Sequence, residues 1–179
     1  LVVLNKRDPT AASKFRIHFY GGISDDIQMR YDELIRASAL EELFYFHGDV
    51  GFEESKQAQV DADYLLLIVD TGATADGVIP GKLFDYISAK RPIFALSNST
   101  ATNDIIVKGR LGTVVPVEDS EKCKQKLKEI AANPQLALIS DQKYLSQYDR
   151  RALTRRLASV FDEVVESPRQ RHATINTQG

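Results

Sequence analysis

A lysine, a proline and a glycine at the head of an amphipathic run, Gly77 to Leu96 (GVIPGKLFDYISAKRPIFAL), form the part of this sequence best suited to handling a phosphorylated ligand. Pro80 lacks an N–H and has a helical φ, so it suits a first helical position. The following amides of Gly81, Lys82 and Leu83 then have no partner inside the helix and carry the positive end of its macrodipole. Gly81 lets an oxygen approach the backbone, and Lys82 adds a full charge at the same place. That lysine opposes the dipole, at a cost of a few tenths of a kcal/mol up to ~1, unless an anion such as a diphosphate is bound. Asp85 and Tyr86 follow one turn later on the side of Lys82, while Leu83 and Ile87 point to the core. The alternative is an ordinary αβ unit in which Lys82 and Asp85 form a solvated pair.

The elements that must position these residues alternate along the chain. A strand is expected at 15–20, ended by Gly21 and Gly22, then a helix capped by Ser24 or Asp25 with Ile27, Tyr31, Leu34, Ile35 and Ala39 as its apolar stripe. A short strand at 43–48, a helix near 53–61 and the strand YLLLIV at 64–69 follow; the last is apolar on both faces, as a central parallel strand should be. After the helix at 80–90 come the strand PIFAL, a Ser/Thr/Asn-rich turn, a short helix near 102–109 and the strand GTVVPV. Helices near 119–132 and 134–147 precede a last one capped by Asp149, with Leu153, Leu157, Val160, Phe161 and Val164 as its stripe. This βα alternation predicts an α/β, Rossmann-like, doubly wound parallel sheet whose ligands sit at the carboxyl ends of the strands. Gly21-Gly22, His47 to Val50, Asp70 to Ala73 and the helix start at Gly81 should meet there.

Composition narrows the choices. With 179 residues, 43% hydrophobic and 27% charged residues and a net charge of -2, the chain is sized for one ordinary core. It lacks the basic excess of a nucleic-acid binder. No apolar run is long enough to span a bilayer, and LVVLNKRD has neither a starting Met nor a signal-peptide layout, so it reads as an excised boundary. Cys123 falls on the apolar face of EKCKQKLKEIAA as a structural thiol. His18, His47 and His172 lack metal-ligand spacing, and no structural zinc is expected.

PGKLFDYISAKRPIFAL resembles the segment P-x-K-[LF]-x-E-Y-[LM]-A-x-x-[KR]-P-[IV] of the C-terminal donor-binding domain of GT-B glycosyltransferases of the family 4 type. FRIHFYGGI at 15–23, FHGDVGFEES at 46–55 and QAQVDADYLLLIVDTG at 57–72 precede it in the expected order, so the resemblance covers about residues 13–165. It implies half of a transferase: a donor-binding domain at 1–166 with a flexible tail at 167–179. The family's first strand, its glycine-rich loop and its whole acceptor domain, with any catalytic base, would lie before residue 1. The implied reaction transfers a sugar from a nucleoside diphosphate to an acceptor hydroxyl without a metal. Lys82 and the neighbouring amides would stabilise the leaving diphosphate, and Gly21, Gly22, His47, Gly48, Val50, Asp70, Pro80, Gly81, Leu83 and Asp85 would complete the donor site.

Two positions depart from the family pattern. Asp85 stands where a ribose-binding glutamate is usual, and Gly77, flanked by Asp76, stands where the paired glutamate is expected. Arg150, Arg151, Arg155 and Arg156 on the last helix form a solvated face, contact the other domain, or meet an anionic membrane surface. The expected location is the cytoplasm, at most peripheral to the inner face of a membrane. Asp61-Ala62-Asp63 matches a metal-binding D-x-D string but stands in another fold context. Rival readings are a receiver domain using Asp25, Asp26, Asp70 and Thr100, a non-catalytic nucleotide-binding module, and half of a sugar-nucleotide epimerase.

Overall fold

In the computed structural model the structure describes residues 1–69, 75–134 and 139–173, with side chains to Glu166. Two compact units are present, 1–139 and 140–179.

The first unit opens with helices α1 (Val2–Arg7) and α2 (Pro9–Ala12), separated by Asp8. Asp8 ends one and caps the other, its Oδ1 accepting from the Ala11 amide at 3.0 Å. Strand β1 (Ile17–Phe19) leads to α3 (Asp25–Ala37), then β2 (Phe44–Phe46), α4 (Phe52–Asp61), β3 (Leu65–Ile68), α5 (Gly81–Ala89), β4 (Ile93–Leu96), α6 (Thr100–Lys108), β5 (Gly112–Val115) and α7 (Ser120–Ala132). All strand pairs are parallel, as the βα alternation requires.

The hydrogen-bonded ladder comes in two pieces, β1–β2 and β3–β4–β5. In the doubly wound order 3-2-1-4-5-6, β2-β1 and β3-β4-β5 take the places of strands 3-2 and 4-5-6. No described strand occupies the place between them. This explains why β3 is not the central strand its sequence suggests. Leu65 and Leu67 are buried, but Leu66 and Ile68, on the opposite face of the strand, are 39% and 58% exposed, and β3 is paired on one side only. The central strand is β4, with Ile93, Phe94 and Ala95 all buried.

Other departures are local. On α3, Ile35 packs with Leu40 and Leu43, but Leu34 is exposed, so the buried stripe is narrower than expected. Asn133 and Pro134 are not helical, and the helix expected over 134–147 is confined, among the described residues, to α8 (Gln142–Leu145). The Asp141 carboxylate caps it, accepting from the Tyr144 amide. In the second unit, α9 (Arg150–Ala173) begins as expected: Asp149 Oδ1 accepts from the Ala152 amide at 3.0 Å. It continues to Ala173, helical through part of the span expected as tail.

Glycine is required at position 112. Its φ is +155°, and a Cβ there would stand 2.0 Å from the Ile93 carbonyl oxygen across the β4–β5 ladder. Gly112→Ala should therefore destabilise the fold by ~3 kcal/mol or more, read as a lowered urea midpoint. Lys90, the α5 C-cap, holds a left-handed φ of 56° despite its Cβ. Lys90→Gly should raise the same midpoint by an equivalent of ~1 kcal/mol; a loss of stability there would contradict the assignment of that cap.

Candidate functional site

The start of α5 differs by one residue from the sequence expectation. Pro80 has φ -64° and ψ 138°, so it is the N-cap, and its carbonyl accepts from the Leu83 amide at 3.0 Å. The fixed ring suits either position, since only ψ separates them. Leu83 is thereby removed as an anion donor, and its side chain is buried. The Gly81 and Lys82 amides remain. A Cβ on Gly81 would meet nothing within 4 Å, so the space at the helix start is open.

Lys82 and Asp85 are both exposed. Among the described residues neither forms an ion pair or hydrogen bond, with the other or with any group. The solvated Lys82–Asp85 pair is thus not made. Tyr86 leaves their side of the helix: it is half-buried, and its hydroxyl donates to the Leu66 carbonyl at 3.2 Å. Burial, reinforced by the Asp85 charge, pushes the phenol pKa up. Tyr86 therefore fastens α5 to β3 and keeps its proton for that bond.

The segment entering α5 is clipped to the start of α6. Ser99, fully buried, is the N-cap of α6, accepting from the Thr102 amide at 3.3 Å. Its hydroxyl proton is shared between the carbonyls of Asp76 at 3.0 Å and Val78 at 2.9 Å. Thr102, also buried, donates to Val78 O at 2.8 Å, and the Thr100 amide donates to Asp76 Oδ1 at 3.0 Å. The Thr100 hydroxyl and amide hold the Asp76 carboxyl below its usual range. The Asp76–Thr100 contact therefore contributes stability above the ordinary carboxylate pKa, lost as pH falls through the depressed value. Asp76 consequently serves as a clasp between the segment entering α5 and the start of α6. The Ser/Thr/Asn run 97–100 carried the signal for this clip, since such hydroxyls recur at helix N-caps.

At the carboxyl ends of β1 and β2, Gly21 and Gly48 meet: the Gly21 amide donates to Gly48 O at 2.7 Å, and both have positive φ, 115° and 68°. Gly22 lies against Asp49, whose Oδ1 would be 3.1 Å from a Cβ. Val50 is half-buried and Gly48 exposed. Asp70 to Ala73 lie outside the described residues.

His47 joins a row of rings that the sequence did not suggest. On one face of the β1–β2 pair, Tyr20 stacks on His47 at 4.2 Å and Tyr45 on His18 at 4.7 Å. His18 Nδ1 and His47 Nε2 are 2.9 Å apart and share one proton. Burial, then the His47 charge, lowers the His18 pKa. The signal was available, since alternate residues of neighbouring strands share a face. The stacking engages the exposed His47 ring with its neighbours in the row.

Among the described residues no group of three or more His, Cys, Asp or Glu side chains is placed to hold a metal ion. Asp61 instead accepts from Gln57 at 2.9 Å. Cys123 is half-buried, and burial raises its pKa, which suits an inert thiol.

No protein-family model and no curated protein sequence matches the chain. Among solved structures, HepE of Anabaena, determined in complex with UDP, superimposes with a TM-score of 0.63 at 14% identity over 91% of this chain. The match takes in 44% of HepE, so the chain spans less than half of that protein. The pneumococcal O-GlcNAc transferase GtfA, determined with UDP and GlcNAc, matches 99% of this chain and 32% of its own at 19% identity, with a TM-score of 0.46 too low to carry weight. The HepE likeness establishes the fold: the chain has an α/β, Rossmann-like fold of the kind that makes half of a GT-B protein.

Proposed function

We propose that this chain is the nucleotide-sugar-binding half of a metal-independent glycosyltransferase of the family 4 type. The observation that carries the reading is the start of α5, where, among the described residues, the Gly81 and Lys82 amides and the Lys82 ammonium have no partner, on a helix whose entry is held by buried hydroxyls. UDP in the HepE structure, a protein of this fold, supports the ligand class.

In the proposed reaction the anomeric C–O bond breaks as the acceptor hydroxyl attacks, and the electron pair leaves on the diphosphate. The Gly81 and Lys82 amides and the Lys82 ammonium face that charge already oriented, so little reorganisation is needed as it develops. The Gly21–Gly48 junction and Val50 lie beside the base, with Asp85 toward the ribose hydroxyls. The catalytic base and the acceptor site come from an N-terminal domain outside residues 1–179. The isolated chain thus binds nucleotide with little or no turnover.

A second reading is a non-catalytic nucleotide-binding module. It draws on one observation, that the carboxylate beside Gly77, Asp76, has Oδ1 engaged by the Thr100 amide.

Calorimetric titration with UDP, GDP, ADP and TDP, with and without magnesium, tests the site. One diphosphate should bind independently of metal, and Lys82→Ala should weaken it ~10- to 100-fold, as expected for a charge-assisted contact, with little effect on the matching nucleoside. Equal losses for both would sink the anion site. Ser99→Ala should lower stability by ~1–2 kcal/mol and weaken diphosphate binding although Ser99 touches no ligand; unchanged affinity would show that the clip does not organise the helix start.

A further inference from the structure

No metal-ligand spacing links the histidines in the sequence, but the fold brings two of them together. β1 and β2 run parallel, with His18 opposite Tyr45 and Phe19 opposite Phe46. The ladder continues for one more bond, in which the His47 amide donates to Phe19 O at 2.9 Å. Alternate residues of a strand share a face, so His18 and Tyr20 of β1 stand beside Tyr45 and His47 of β2. His18 Nδ1 and His47 Nε2 are then 2.9 Å apart, although 29 residues separate them along the chain. Two nitrogens bound to one ion at about 2.0–2.1 Å stand about 2.9 Å from each other when they subtend about 90°, and about 3.3 Å at the tetrahedral angle.

We propose that His18 and His47 form a chelating pair for a divalent transition-metal ion of tetragonal or octahedral preference, such as Ni²⁺ or Cu²⁺, which takes the place of the proton the two rings share. Imidazole nitrogen suits these ions, whereas Mg²⁺ and Ca²⁺ prefer oxygen. Both histidines are exposed, so water fills the remaining coordination positions and a small ring rotation turns both lone pairs to the ion. Tyr20 stacks on His47 and Tyr45 on His18 with interplanar angles of 6° and 9°, which limits how far either ring swings away. Burial lowers the His18 pKa and so favours the neutral form that ligates. With two protein ligands, rather than the three or four of a catalytic or structural centre, the ion is exchangeable. It ties β1 to β2 beside the Gly21–Gly48 contact. Neither Lys82 nor the α5 amides take part, so the pair stands whether or not the chain binds a nucleotide.

Calorimetric titration of the 179-residue chain with Ni²⁺ near neutral pH, paired with amide NMR in the same ion, tests the pair. One ion per chain should bind through these residues, with paramagnetic broadening strongest at the amides of 18–20 and 45–48. His18→Gln and His47→Gln should each weaken that binding at least ~10-fold, while His172→Gln leaves it unchanged and Mg²⁺ does not compete. Acidification by about two pH units should also weaken it at least ~10-fold, as protons reclaim the rings. Both side chains are exposed, and circular dichroism of the two variants should match the parent; the broadening map of the unaltered chain needs no variant. No saturable Ni²⁺ binding below about 1 mM, binding indifferent to both single changes, or broadening centred away from β1 and β2 overturns the proposal.

Discussion

The arrangement around α5 depends on a few buried hydrogen bonds at the start of the neighbouring helix. Ser99 and Thr102 hold the carbonyls of Asp76 and Val78, so the irregular segment before α5 has satisfied backbone groups although it belongs to no ladder. A chain held in this way reaches Pro80 in one conformation, and the proline sets the entry into the helix. The ends of two adjacent parallel-strand crossovers are thus coupled. What α6 gains as a cap, α5 gains as a fixed starting point, which a preorganised anion site requires.

A second constraint is the set of surfaces left without a partner in this chain. β1 and β3 are each paired on one side, and β3 exposes Leu66 and Ile68. An edge strand with exposed apolar residues is an aggregation hazard when left bare. α9 likewise has an exposed apolar row. The β1–β2 pair gathers half-buried Phe19, Phe44 and Phe46 on one face, with the exposed Tyr31 ring beside them, and presents its His and Tyr row on the other. The chain therefore has a core of its own and edges shaped for association.

Much of the fold was legible because alternation and capping are local properties. Pro, Gly and the Asp cap at 149 mark ends, and apolar runs mark strands. The misreadings arise where the answer is not local. LLLI reads the same in a central strand as in an edge strand, and only the neighbouring ladder decides. Leu34 lies one position from Ile35 on α3, and the packing of Leu40 and Leu43 decides which of them is buried. At the site, the residue types at Pro80, Gly81 and Lys82 pointed to anion chemistry. The engagement of Asp76 and the His18–His47 contact depend on atoms far apart in sequence, whereas the Leu83 amide is lost to the Pro80 carbonyl three residues away, through a ψ angle that residue type does not fix. The likeness to HepE rests on backbone path at 14% identity, so short motifs and their order carry the residue-level reading.

The central claim is that the first turn of α5 binds a diphosphate. Its most direct test is a two-dimensional amide NMR titration of the chain with UDP and with uridine. The account predicts that UDP moves the Gly81 and Lys82 amide resonances and that uridine leaves them in place while perturbing the Gly48 to Val50 loop. Saturating UDP binding that leaves both amides unmoved, or shifts there as large with uridine, would contradict it.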